Sequence, residues 1–149
     1  MAEITTLAKV LHVRENEKLD AQKIYHQAME QFERSALSLY ELLRKKEETE
    51  EAYDLSTQQS IPIETLKQQN TYLQRLNLEI DRMQKEVQYA RTEMEARQHK
   101  LTDAHMEVKK FEKIIENRKQ TELEAIRKEE SAMMDEISIR QYLSKSKGE

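Results

Sequence analysis

The side chains from which a metal site or an acid–base pair would be built here are His12, His26, His99 and His105, with the acidic run Glu47, Glu48, Glu50 and Glu51. Two histidines one helical turn apart can grip a metal ion, and Glu-x-x-His is the ligand pattern of di-iron bundles. None of the four histidines has a histidine at i+4, and none follows a glutamate by three residues. They read as surface or flanking histidines. The glutamate run suggests paired carboxylates or a cation site, but on an exposed helix without a pocket it reads as a solvated face. A Ser-His-Asp arrangement needs a cleft to hold its members, and nothing in the chain promises one. The absence of cysteine removes disulfides, thiolate zinc sites and a cysteine nucleophile, and fits a reducing compartment. A single glycine forbids a phosphate loop or dinucleotide fingerprint. Neither an enzyme nor a cofactor is expected.

The elements that carry these residues must be helices. The chain has 149 residues, 36% of them charged, 37% hydrophobic and 5% aromatic, with one glycine and one proline. A sheet of several strands needs turn residues that tolerate positive φ or fix it near −65°, and two such residues cannot supply them. Sandwiches, barrels and doubly wound sheets are therefore excluded. No apolar run approaches the roughly 18 residues of a membrane span, and the N-terminus lacks a signal-peptide pattern. The net charge of −4, with signs interspersed, argues against nucleic acid as a partner. A soluble cytoplasmic protein is the default.

Turn chemistry gathers in one place, Ser56-Thr57-Gln58-Gln59-Ser60-Ile61-Pro62. Ser60 is a good helix N-cap and Pro62 is tolerated in a first turn. This predicts a single coiled-coil domain: a first helix over about 4–56, a turn over about 57–61, a second helix over about 61–144, and a frayed tail over 145–149. Helices joined so briefly fold back antiparallel. The expected fold is all-α, an elongated antiparallel two-helix coiled coil with the second helix overhanging the first.

Heptad spacing agrees. Leu66, Leu73, Ile80, Val87, Met94, Leu101, Val108 and Ile115 are successive positions seven residues apart, and all are apolar. Three residues beyond each stand Gln69, Leu76, Met83, Ala90, Arg97, Ala104, Phe111 and Arg118, mostly apolar or small. That 3–4 alternation marks a left-handed coiled coil. The first helix repeats it less regularly: Ile4, Leu11, Tyr25, Phe32, Leu39 and Tyr53 share a phase interrupted by Lys18 and Lys46, with Leu7, Ala21, Ala28 and Leu42 on the second seam. With each seam side chain contributing about 1.5–3 kcal/mol as an upper bound, stability should be modest.

A turn centred near residue 59 sets residue i opposite about residue 118 − i, so the first helix ends near Ile115. There the apolar phase moves by one residue, to Leu123, Ile126, Met133 and Ile137. The last 30 residues or so, about 45 Å of helix, thus carry an apolar stripe without a partner in the chain. Homodimerisation, a frayed amphipathic end and insertion into another protein are all compatible with it. Met83 and Met94 read as seam filler, whereas Met133 and Met134 offer adaptable thioethers to a partner.

Three blocks carry a likeness to a known family: Val13-Arg14-Glu15-Asn16-Glu17-Lys18, Glu107-Val108-Lys109-Lys110-Phe111-Glu112-Lys113 and Met134-Asp135-Glu136-Ile137-Ser138-Ile139. With the length and the single break, the chain resembles the flagellar FliJ family, especially its Bacillus-type members, over essentially its whole extent. The resemblance implies a hairpin similar to the central shaft of rotary ATPases. Its implied partners are the hexameric flagellar export ATPase (FliI), the export-gate protein (FlhA) and export chaperones. Its implied place is the cytoplasm, at the inner face of the membrane beneath the flagellum. It also implies the alternative of a chaperone that keeps export substrates from aggregating. Ring contacts would then fall to the free ends, Leu7 and Leu11 with Leu123, Ile126, Met133, Met134, Asp135, Glu136 and Ile137. Gate contacts would fall to Tyr72 and Leu76, an aromatic followed four residues later by leucine, and to Leu42 as the facing leucine. Lys45, Thr49, Glu79 and Met83 depart from the family's pattern there, and Leu76 reads equally well as seam.

Overall fold

The computed structural model describes residues 2–147, and these form two long helices, α1 (Ala2–Gln58) and α2 (Ile63–Lys147), without strands among the described residues. The all-α expectation holds. Both helices run two to three residues past the expected bounds, because neither Gln58 nor the segment from Ser144 to Lys147 contains a helix breaker. The frayed tail expected from residue 145 is helical as far as Lys147, and residues 148 and 149 lie outside the described residues. Threonine, a mediocre helix former, is accommodated by bonding its own helix. Thr6, Thr49, Thr71, Thr92, Thr102 and Thr121 each donate their hydroxyl to the carbonyl four residues earlier.

The connection differs from expectation in one detail that matters. The Pro62 carbonyl accepts the N–H groups of Thr65 at 3.1 Å and Leu66 at 3.3 Å, so Pro62 itself, not Ser60, occupies the N-cap. The ring of proline pushes the residue before it out of helical conformation, so α2 cannot start earlier. The Ile61 N–H donates to the Gln59 carbonyl at 2.9 Å, and no described residue adopts positive φ. Glu64 sits in the first turn, where a carboxylate complements the helix dipole.

Contacts divide the chain into two compact units. The first is a helical hairpin over Leu19–Asp103 that contains the turn. Its seam buries Leu76, Ile80, Val87 and Ala90 from α2, with Ser35 and Ser56 from α1. Leu66, Leu73, Met83, Met94 and Leu101 are half-buried between them, as are Tyr25, Phe32, Leu39, Leu42 and Tyr53. Lys46 is half-buried too, its aliphatic stem filling the seam while the ammonium approaches Glu50 at 3.9 Å. Arg91 lies over the Phe32 ring at 5.6 Å. Next to the turn, the Gln69 amide donates to the Ser56 hydroxyl at 3.4 Å, while Gln69 Oε1 is buried without a partner. An unsatisfied buried acceptor costs about 1–3 kcal/mol. Replacing the pair by Ser56→Ala with Gln69→Leu should therefore stabilise the hairpin by about 1 kcal/mol, seen as a melting temperature several degrees higher.

The second unit combines residues 2–18 of α1 with residues 104–147 of α2. Val108 and Ile115 are its buried residues, while Ile4, Leu7, Leu11, Lys18, Ala104 and Phe111 are half-buried. Arg14 stands at a seam position: its guanidinium lies 5.8 Å from the Phe111 centroid and reaches the Glu17 carboxylate at 3.0 Å. Glu3 pairs with Arg118 at 3.0 Å. The expected rule placed residue 104 opposite Arg14 and residue 115 opposite Glu3, so these contacts fall seven and three residues further along α2. The later start of α2 contributes to this, since moving the turn by one residue moves every facing partner by two.

Candidate functional site

Two features could engage another molecule. The first is an open cleft of about 540 Å³ in the hairpin unit, lined by Ala28, Ser35, Arg82, Tyr89, Ala90 and Glu93 among others. It exists because Ala28, Ser35 and Ala90 are all small seam residues and leave a layer of the interface unfilled. Ser35 is buried and accepts a hydrogen bond from the Gln31 amide at 3.5 Å. No histidine lines the cleft. The signal was present in the sequence as alanine and serine at seam positions, but it was missed.

The second feature is the end of α2. From Leu123 to Lys147 every residue is exposed, about 37 Å of helix without a cover. Leu123, Ile126, Met133, Met134 and Ile137 are between 45% and 65% exposed. Single exposed apolar residues are ordinary on protein surfaces, but a contiguous row is not. Asp135 and Glu136 lie on the same exposed segment, Glu136 taking Arg140 as an i, i+4 partner at 3.1 Å. Leu7 and Leu11 are half-buried against residues of their own unit, so they offer a partner less surface than the α2 end does.

Of the residues expected to meet an export gate, Tyr72 and Leu76 lie one turn apart on α2 but differ in exposure. Tyr72 is exposed and borders a shallow groove with Lys67, Gln68, Thr71 and Arg75. Leu76 is 3% exposed, its side chain occupied by the seam. Leu42 is half-buried, and the bracketing pairs Phe32–Arg91 and Ser56–Gln69 set it opposite about residue 82 rather than opposite Leu76.

His12, His26, His99 and His105 are all exposed, and no group of three or more His, Asp or Glu side chains among the described residues is placed to hold a metal ion. In the glutamate run, Glu48 pairs with Arg44 at 3.3 Å and Glu50 with Lys46. No helix among the described residues is long and apolar enough to cross a membrane.

Fold and surface together define an all-α coiled-coil protein whose most conspicuous unsatisfied feature is a bare helical end. The chain belongs to the flagellar FliJ family: the family model described as flagellar FliJ protein matches residues 3–147. It is 34% identical over 137 residues to the flagellar FliJ protein of Bacillus subtilis (strain 168), covering 91% of this chain and 92% of the relative. No solved structure matches it.

Proposed function

We propose that this protein is a non-enzymatic stalk of the flagellar export apparatus, whose α2 end enters the ring of the export ATPase (FliI-like) and promotes its assembly and turnover. Family membership supports a role in flagellar export. The observation that carries the finer reading is the uncovered stripe from Leu123 to Ile137 on the continuous helix α2. A helix offering i, i+3, i+7 anchors suits a hydrophobic groove. Purified ATPase titrated with the chain tests this: turnover should rise with the intact protein.

In the same reading Tyr72 contacts the export gate (FlhA-like), because its exposed ring adjoins Lys67 and Arg75. Tyr72→Ala should weaken gate binding about tenfold and leave the melting temperature unchanged. Leu76→Ala should lower stability by about 2–4 kcal/mol, because this residue fills the seam. Equal gate affinity for Tyr72→Ala and the native chain would remove Tyr72 from the contact.

The second reading is a chaperone that covers unfolded export substrates or escorts export chaperones. Leu37, Tyr40, Leu78 and Tyr89 favour it, being apolar, well exposed and remote in sequence from the α2 end. It predicts suppression of substrate aggregation with no change in ATP turnover, which an aggregation assay beside the turnover assay separates.

A further inference from the structure

The stripe on the α2 end has two chemically different edges. Leu123, Glu130 and Ile137 follow one seven-residue phase, and Ile126 and Met133 the other. On a helix of 3.6 residues per turn, the residue before each member of the first phase lies along one edge of the stripe. The residue after each member of the second lies along the other. The first edge is Glu122, Glu129 and Glu136; the second is Arg127, Met134 and Gln141. Glu130 stands within the stripe, where the apolar phase is broken by a carboxylate. Glu129 and Glu130 form no ion pair among the described residues, and Glu136 shares its carboxylate only with the exposed Arg140.

This asymmetry selects among occupants. A second copy laid antiparallel would set the glutamate edge against itself, and like charges at such positions destabilise. A parallel copy would match Glu122 with Arg127, but would set Glu129 against Met134, Glu136 against Gln141, and Glu130 against its own counterpart. An anionic lipid surface would repel the same edge. What complements the stripe is an apolar groove with cationic groups on one side.

We propose that the Leu123–Ile137 stripe docks into a protein groove whose rim facing Glu129 and Glu136 is basic, with an arginine or lysine reaching Glu130. This rests on the reading that the α2 end enters the export ATPase, and it adds the polarity of the surface met there. The groove's cations fix which way round the helix lies, because rotating the stripe over would bring Arg127 to the basic rim.

The test is the affinity of the full chain for purified export ATPase at low and raised salt. Glu129→Lys with Glu136→Lys, and separately Glu130→Lys, should each weaken binding about tenfold or more. The native affinity should fall with salt more steeply than that of the double variant. Glu124→Lys, the same charge change on the outward face, should bind as the native chain does. All four positions are exposed, so circular dichroism should be unchanged throughout. If the edge variants bind normally while a chain ended after Glu122 does not, the basic rim is overturned and the docking reading stands. If the shortened chain also binds normally, both fall. A native chain that sediments as a dimer, and as a monomer once ended after Glu122, would assign the stripe to a second copy and overturn the proposal.

Discussion

Ending the chain after Glu122 should abolish binding to the export ATPase and its stimulation while leaving the rest of the protein folded. The deleted segment contains the four large apolar side chains of the stripe, Leu123, Ile126, Met133 and Ile137, with Met134 at its edge, all exposed. Each contributes up to about 1.5–3 kcal/mol when fully covered by a partner. Even after ordering costs, their loss should reduce affinity at least a hundredfold, about 3 kcal/mol. The folded remainder should scarcely notice. The seam residues Val108 and Ile115 precede the cut, and the Glu3–Arg118 pair survives it. Calorimetry for binding, and a thermal melt that keeps its midpoint within a few degrees, check the two halves of this prediction. Full stimulation by the shortened chain would sink the stalk reading.

The second large effect belongs to the seam. Ile80→Asp or Val108→Asp should unzip the unit that contains it, because each native side chain is only 4% exposed and a carboxylate there would be desolvated in the seam. An unpaired charge at such a site costs several kcal/mol, about 3–5. A two-helix layer lacks a deep core in which to absorb that, since no side chain among the described residues is completely buried. Helical ellipticity should drop markedly at room temperature. Leu78→Asp is the control: Leu78 is 69% exposed, and its replacement should shift the melt by less than about 0.5 kcal/mol. Retained helicity in both seam variants would mean that the burial pattern is assigned to the wrong face.

How much of this was legible beforehand differs from residue to residue. The helices and the 3–4 spacing are local properties: a heptad pattern sustained from Leu66 to Ile115 has one economical packing, and the dearth of glycine and proline leaves no alternative element. The turn was legible only approximately. Ser60 has the chemistry of a cap, but Pro62 constrains Ile61 sterically, and that constraint decides where α2 begins. The later turn moves the expected partner of Glu3 toward Arg118, with which it pairs. Leu42 lies opposite about residue 82 and not Leu76, a larger shift than the turn alone supplies.

Lys18 and Lys46 looked like interruptions in the first helix, yet both are half-buried and the seam continues through them. Charge counts in a sequence do not distinguish an ammonium from the methylene stem below it. The cleft beside Ala28, Ser35 and Ala90 was legible only as small residues at seam positions, because locating it requires knowing which of them share a layer across the two helices.

The sequence by itself determined the element type, the single break and the unequal arms, because all three follow from residue propensity and periodicity along one chain. It also contained the shift in apolar phase before Leu123 and the glutamate edge beside it. Only the tertiary structure decided the register between α1 and α2, the residues left bare by it, and the division between seam and surface at Leu76 and Tyr72. Register depends on the turn's backbone geometry and on side-chain fit across two helices, and neither quantity is a property of either helix's sequence alone.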